Sequence, residues 1–250
     1  MSNFQDHFSR HAALYRDYRP RYPAALFTAI AEAAPAREAA WDCGCGNGQA
    51  SLGLAAAFDR VFATDASAQQ VGSAERHPKV HYSVSTAEAS TLDSNTVDAV
   101  LVAQALHWFD VPRFYDEVAR VCRPGGLFVA VMYELATIDE AIDTAVLEFY
   151  RGDIGPYWPG DRRHIDSGYA SIPRRFPEVP FPTLTMTVAW TLEQFTGYLA
   201  TWSAVQRYRS ATGRDPLPAL AQTLAPLWGD TPEARRTVSW PLRTITGRVA

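Results

Sequence analysis

Lysine is almost missing from this 250-residue chain: of 23 basic residues 22 are arginine, and Lys79 stands alone. In so alanine-rich a chain this pattern fits the codon usage of a GC-rich genome. Each arginine therefore argues less for anion recognition than its fork geometry normally would. Positive charge is also not in excess. The net charge of −4 speaks against a general nucleic-acid binder, which needs a basic footprint on phosphate. Cysteine is scarce and odd in number, three in all, so no disulfide framework is expected, and a reducing cytosol fits. No apolar run approaches the roughly 20 residues of a membrane span. The opening MSNFQDHFSR lacks a basic-then-apolar signal pattern, so secretion is not expected. Repeats and low-complexity linkers are absent as well. What is present is globular: 47% apolar and 20% charged residues, in a chain long enough to bury a core without staples. The expectation is a cytoplasmic enzyme.

Residues 39–133 alternate short apolar runs with amphipathic stretches. Runs at Ala39–Cys43, Val61–Thr64, Val80–Val84, Val97–Ala103 and Leu127–Tyr133 read as strands. Gln49–Phe58, Ser67–Arg76 and Pro112–Val121 read as helices, the second with Ser67 as N-cap. The RPGG at Arg123–Gly126 is expected to break the chain before the strand at Leu127. This alternation predicts βαβ units and a doubly wound parallel α/β sheet. Beyond Glu134 the texture changes. Six of the 17 prolines lie between Pro156 and Pro182, and five of seven tryptophans lie beyond residue 157. A helix is expected at Ile138–Tyr150, a strand at Thr183–Trp190, a helix at Leu192–Ser203 and a final strand or hairpin within Arg235–Val249. The Pro- and Trp-rich part reads as a cap on the core.

The strongest local signal is WDCGCGNGQ, Trp41 to Gln49. Gly44, Gly46 and Gly48 follow a strand and lead into a helix, where missing Cβ atoms permit positive φ and let a ligand lie on the backbone. The other reading of them is a tight strand-to-helix turn alone. Asp65 ends the next strand, where an acid can accept both hydroxyls of a ribose or simply cap the following helix. Together the two signals point to a ribose-bearing ligand across the first two strands. His107 and Trp108 follow the buried fourth strand, at the mouth where open α/β sheets bind ligands. An imidazole there reads as a general base or as a contact that only positions the ligand. Cys43 and Cys45 have no second pair to complete a four-ligand metal site, so no metal is expected.

WDCGCGNGQ, ATDAS (63–67), STAEAS (85–90), VDAVLVAQALHWF (97–109) and RPGG, in that order, resemble the motifs of class I S-adenosylmethionine-dependent methyltransferases. FSRHAALYRDYRPRYP (8–23) and AQALHWF resemble the small-molecule branch that includes trans-aconitate methyltransferases. The resemblance implies a Rossmann-like, mostly parallel seven-stranded sheet. It implies a lid helix about 4–22, a core about 23–133, and cap insertions about 134–182 and 203–233 within one domain. It places Asp42, Gly44, Gly46, Asn47, Gly48 and Gln49 on the methionine part of S-adenosylmethionine, Asp65 and Ala66 on the ribose, and Ala87 and Glu88 beside the adenine. Gln104 and Ala105 would lie under the sulfonium, with Tyr15 and Arg19 closing over the cofactor. His107 is the catalytic candidate. Tyr22, Trp108, Tyr133, Trp158, Arg163 and Arg174 are the acceptor-binding candidates, among cap residues that also include Tyr157, Arg162, His164, Arg175, Trp202 and Tyr208. The expected reaction is O-methylation of a carboxylate on a small molecule, which needs no base because the acceptor is already ionised. Two alternatives stand beside it. One is a nicotinamide-dependent oxidoreductase, which the G-x-G-x-G spacing and the lack of a Tyr-x-x-x-Lys disfavour. The other is a cofactor-binding protein without catalysis. Nucleic-acid methylation would call for a basic patch and an Asn/Asp-Pro-Pro-aromatic segment, and the sequence has neither.

Overall fold

The structure, a computed structural model, describes residues 18–160 and 162–250. Tyr15 and most of the expected lid helix lie outside the described residues. Helix α1 (Ala24–Ala33) precedes strand β1 (Ala39–Cys43), followed by α2 (Gln49–Ala55), β2 (Arg60–Asp65), α3 (Ala68–Ser73) and β3 (Val80–Val84). Then come β4 (Val97–Ala103), a 3-10 turn at Leu106–Trp108, α4 (Val111–Val121) and β5 (Cys122–Tyr133). The rest comprises α5 (Glu140–Arg151), α6 (Arg162–Asp166), β6 (Thr185–Trp190), α7 (Leu192–Ala200), α8 (Ser203–Thr212), α9 (Leu217–Trp228) and β7 (Arg236–Arg248).

The seven strands form one sheet in the order β3-β2-β1-β4-β5-β7-β6. Strands β1 to β5 pair in parallel, while β7 runs antiparallel to both β5 and β6. The expected mostly parallel, doubly wound sheet is therefore present. Helices cover both faces because β4 and β5 are apolar on both. Ala99, Leu101, Leu127 and Val129 pack toward Leu26, Ile30, Leu54 and Phe149, whereas Val100, Val102, Phe128 and Ala130 pack toward Phe114, Val118 and Tyr169. Strand order reverses at β1, which pairs β2 on one side and β4 on the other. In such sheets the ligand crevice lies there, outside the carboxyl ends of the strands. The opposite end of the sheet is tied by Asp98, which accepts the backbone N–H groups of Glu38 and Ala39 at 2.9 and 3.0 Å and Arg123 Nη1 at 2.7 Å.

Two differences from the sequence reading bear on the sheet and the cap. RPGG lies inside β5 yet interrupts its pairing: the β4 partners jump from Val97–Cys122 to Ala99–Leu127, with Gly125 at φ +77° in the gap. The helix expected to reach Ser203 ends at Ala200, and α8 restarts at Ser203 after Thr201 and Trp202. The final segment is a single strand carrying Pro241. That proline is tolerated because β7 changes partner beside it. Pro241 is the last residue paired with β6, and Leu242 is the first paired with β5.

Candidate active site

The glycine loop leaves β1 with Gly44, Gly46 and Gly48 all at positive φ (72°, 54° and 87°), as a tight strand-to-helix turn requires. Close contacts fix two of them. A Cβ on Gly44 would stand 2.7 Å from the Ala105 Cβ, and one on Gly48 would stand 2.2 Å from the Tyr82 hydroxyl. Gly46 faces open space. The turn is anchored to β2, since Gly44 and Cys45 donate to the Thr64 carbonyl at 2.8 and 2.9 Å. Asp65 joins the loop to α3, accepting Gly46 N–H at 2.9 Å and Ser67 N–H at 2.8 Å. Ser67 itself caps α3 through Gln70 N–H, as its sequence position predicts. The carboxylate of Asp65 thus ties the glycine loop and the start of α3 together, one N–H on each oxygen.

Asp42, fully buried at the end of β1, accepts Ser51 Oγ at 2.5 Å through Oδ2, while Oδ1 has no hydrogen-bond partner among the described residues. Burial raises its carboxyl to about 7, the Ser51 bond opposing and the Asp65 charge adding. An orphaned buried acceptor beside a glycine with open space above it fits a polar, cationic ligand such as the aminoacyl end of S-adenosylmethionine. Residues 18–23 reach the same place, where Gln49 Nε2 donates to the Pro20 carbonyl at 3.2 Å. Ala87 is buried and Glu88 half-buried next to this loop system, with Glu88 accepting Asp110 N–H at 2.9 Å. Asn47 and Ala66 are half-buried in the two turns. Burial pushes the Cys43 and Cys45 thiols up, which keeps them protonated.

On the other side of β1, Gln104 ends β4 at φ +56°, a conformation that side chains rarely adopt. Its amide grips β5 twice: Nε2 donates to the Tyr133 carbonyl and Oε1 accepts Tyr133 N–H, both at 3.0 Å. Arg19 Nη1 donates to the Tyr133 hydroxyl at 2.9 Å, and its guanidinium lies 5.5 Å from the Tyr198 ring centre. Tyr22 packs edge-on against Tyr133.

Arg19, Gln104 and Tyr133 form one wall of a small cleft of about 70 Å³, partly open to solvent, whose other walls are His107, Trp108, Trp158, Arg162, Tyr198 and Trp202. Arg162 is held by three groups. Its guanidinium stacks 4.5 Å above Trp158, and its Nε donates to the Tyr150 hydroxyl at 2.8 Å and to Asp166 at 3.3 Å. Nη1 and Nη2 have no hydrogen-bond partner among the described residues. His107 shares Nδ1 with the Tyr169 hydroxyl at 2.9 Å. Burial first, then the charges of Arg162 and His164, lower its imidazole to about 3, so it is neutral at physiological pH and a weak base.

The cleft therefore gathers Arg19, Gln104, His107, Trp108, Tyr133 and Trp158 as the sequence suggested. Two acceptor candidates are corrected. Arg163 is exposed, because one residue along α6 turns its side chain about 100° away from the cleft, and Arg162 takes the position instead. Arg174 is exposed on the outer face, beside Tyr115. Tyr198 and Tyr169 were not foreseen. Tyr198 is fully buried on α7, where a buried tyrosine reads as core, and Tyr169 sits at φ +62° after Gly168 with no periodic pattern to mark it.

Comparison with known proteins agrees with this geometry. Residues 41–130 match the family model described as a methyltransferase domain. A Dictyostelium discoideum protein assigned as a methyltransferase is 33% identical over 227 residues, covering 89% of this chain and 86% of its own. A Saccharomyces cerevisiae protein assigned as S-adenosylmethionine-dependent methyltransferase CRG1 is 27% identical, over 63% of this chain and 59% of its own. The solved structure assigned as a type II methyltransferase from Anaeromyxobacter dehalogenans superposes with TM-score 0.87 at 48% identity, covering 93% of this chain and 98% of that one. With this likeness along nearly its whole length, and a glycine loop and orphaned acid that suit the cofactor, the chain belongs to the class I S-adenosylmethionine-dependent methyltransferases.

Proposed function

We propose that this enzyme methylates a carboxylate oxygen of a small acceptor held in the aromatic cleft. The observation that supports this most is Arg162. Its Nε is tethered and its plane is stacked, so the two remaining amino groups are pre-aimed for bidentate pairing with a carboxylate. The neutral His107 agrees with the same reading, since an ionised carboxylate needs no proton removed. S-adenosylmethionine, when bound, supplies an electrophilic methyl group. Asp42 and the loop at Gly44–Gly48 would hold its aminoacyl end, Asp65 its ribose, and Ala87 and Glu88 its adenine. The chain's own contribution is placement and desolvation. Arg162 orients the acceptor, and Trp158, Trp202, Tyr198 and Tyr133 keep water from the reacting oxygen. The likeness of residues 8–23 and of AQALHWF to trans-aconitate methyltransferases supports the same acceptor class. The net charge of −4 favours a small acceptor over nucleic acid and the cysteine usage a cytoplasmic setting; no helix among the described residues is long and apolar enough to cross a membrane.

The test is a screen of carboxylic acids for methyl transfer, with product esters identified by mass. Esters formed by the parent enzyme, and at least tenfold less by Arg162→Leu but equally by Arg163→Leu and Arg174→Leu, support the reading. Methylated amines or phenols in place of esters would overturn it.

A further inference from the structure

We propose that Tyr169 is a positioning residue that holds His107 as its Nε2–H tautomer, so that the imidazole presents a fixed hydrogen-bond donor to the cleft. The cleft's role as acceptor site rests on the function proposed above; the tautomer does not. Tyr169 is 1% exposed and follows Gly168 on a turn that closes back on α6. Its hydroxyl meets His107 Nδ1 at 2.9 Å, so one of the two groups must give the proton. The direction follows from burial. The Tyr169 hydroxyl meets no other acceptor among the described residues, so if Nδ1 carried the hydrogen, the buried hydroxyl proton would be stranded, which costs more than a spare lone pair on its oxygen. The hydroxyl therefore gives its proton to Nδ1. A neutral imidazole that accepts at Nδ1 carries its hydrogen on Nε2.

Nε2 has no partner among the described residues, and His107 lines the cleft. The charged and titratable groups around the ring are Arg162 and His164 from α6, Tyr169 from the turn after it, and Arg19 and Glu134 across the cleft. The nearby cations oppose a second proton on the ring. The donor is therefore constant across the working pH range instead of switching. With Arg162 it makes a second contact for one anionic group, and Tyr169 acts only through the histidine.

The experiment uses the full chain saturated with S-adenosylhomocysteine and benzoate as the carboxylate probe. Nitrogen-15 spectra of labelled histidine should show His107 with a bare Nδ1 and a protonated Nε2, unchanged between about pH 5 and 8. Tyr169→Phe should mix the tautomers and weaken benzoate about three- to tenfold while leaving S-adenosylhomocysteine affinity as it was. His107→Gln, whose amide keeps a donor near the Nε2 position, should bind benzoate within about threefold of the parent, and His107→Ala should not. A protonated Nδ1 in the parent protein overturns the proposal even if Tyr169→Phe fails to fold. So does a Tyr169→Phe protein with unchanged spectrum and unchanged benzoate affinity. A bare Nδ1 in a protein that ignores benzoate sustains the tautomer and removes the carboxylate reading.

Discussion

Replacing Asp42 with Asn should stabilise the protein without its cofactor while weakening cofactor binding. The carboxyl is fully buried, with one oxygen bonded to Ser51 and the other without a partner among the described residues, and burial raises it from 3.8 to about 7. An acid held above its unfolded value costs stability as pH rises. Between about 4 and 7 the folded chain holds a proton that the unfolded chain has lost, so the linked stability is fully present below about 4 and gone once pH passes about 7. The gap between 3.8 and about 7 is worth about 4 kcal/mol of penalty for the charged form at alkaline pH. Asparagine keeps the Ser51 bond and carries no charge. It buries an unsatisfied amide instead, which returns about 1–3 kcal/mol of that gain. The sharper observable is the pH dependence. From about pH 8 to pH 5 the advantage of Asn should shrink by about 2–3 kcal/mol, or roughly 5–10 °C in melting temperature. Melting curves of both proteins across that range, with and without S-adenosylhomocysteine, measure it. A difference that does not vary with pH would refute the reasoning, because it would mean that Asp42 titrates alike in the folded and unfolded chains.

Gly46→Ala and Gly48→Ala should separate binding from folding. At Gly48 the new methyl meets the Tyr82 hydroxyl at φ +87°, so the melting temperature should fall with a loss of more than 2 kcal/mol. At Gly46 it meets open space, so only the backbone term of about 1–2 kcal/mol applies, while calorimetry should find S-adenosylhomocysteine affinity down at least tenfold. Asp98→Ala strips acceptors from Glu38, Ala39 and Arg123 at the far end of the sheet. It should cost about 3 kcal/mol in denaturant melts and leave S-adenosylhomocysteine affinity of the folded protein unchanged.

The cofactor half of the site was legible because its requirements are local. Glycines 44, 46 and 48 answer to backbone geometry, and Asp65 to its place at a strand end, so a few adjacent residues carry the whole signal. The acceptor half depends on which way a five-residue helix is turned. Arg162 and Arg163 are equivalent in any window of sequence, and only the contacts with Trp158, Tyr150 and Asp166 decide that the first faces the cleft. The proline-rich stretch around them has no period from which a face can be read. Arg174 failed for the same reason, settling beside Tyr115 on the outer face. Strand boundaries in the core were readable from apolar runs, except where RPGG joins β5. There the pairing with β4 skips from Cys122 to Leu127 and resumes, so the strand runs past an interruption that the sequence reads as its start.

Gln104 has a consequence for how the two halves of the site move. A side-chain amide carries a donor and an acceptor in the arrangement of a peptide group, and here it takes both backbone groups of Tyr133. It acts as one more rung on a ladder that the backbone has already left. Tyr133 in turn receives Arg19, and Ala105 abuts Gly44, so the cofactor loop and the acceptor wall share a single rigid hinge pin. Moving one against the other would have to break the paired Gln104–Tyr133 bonds, so their spacing is set by the sheet itself.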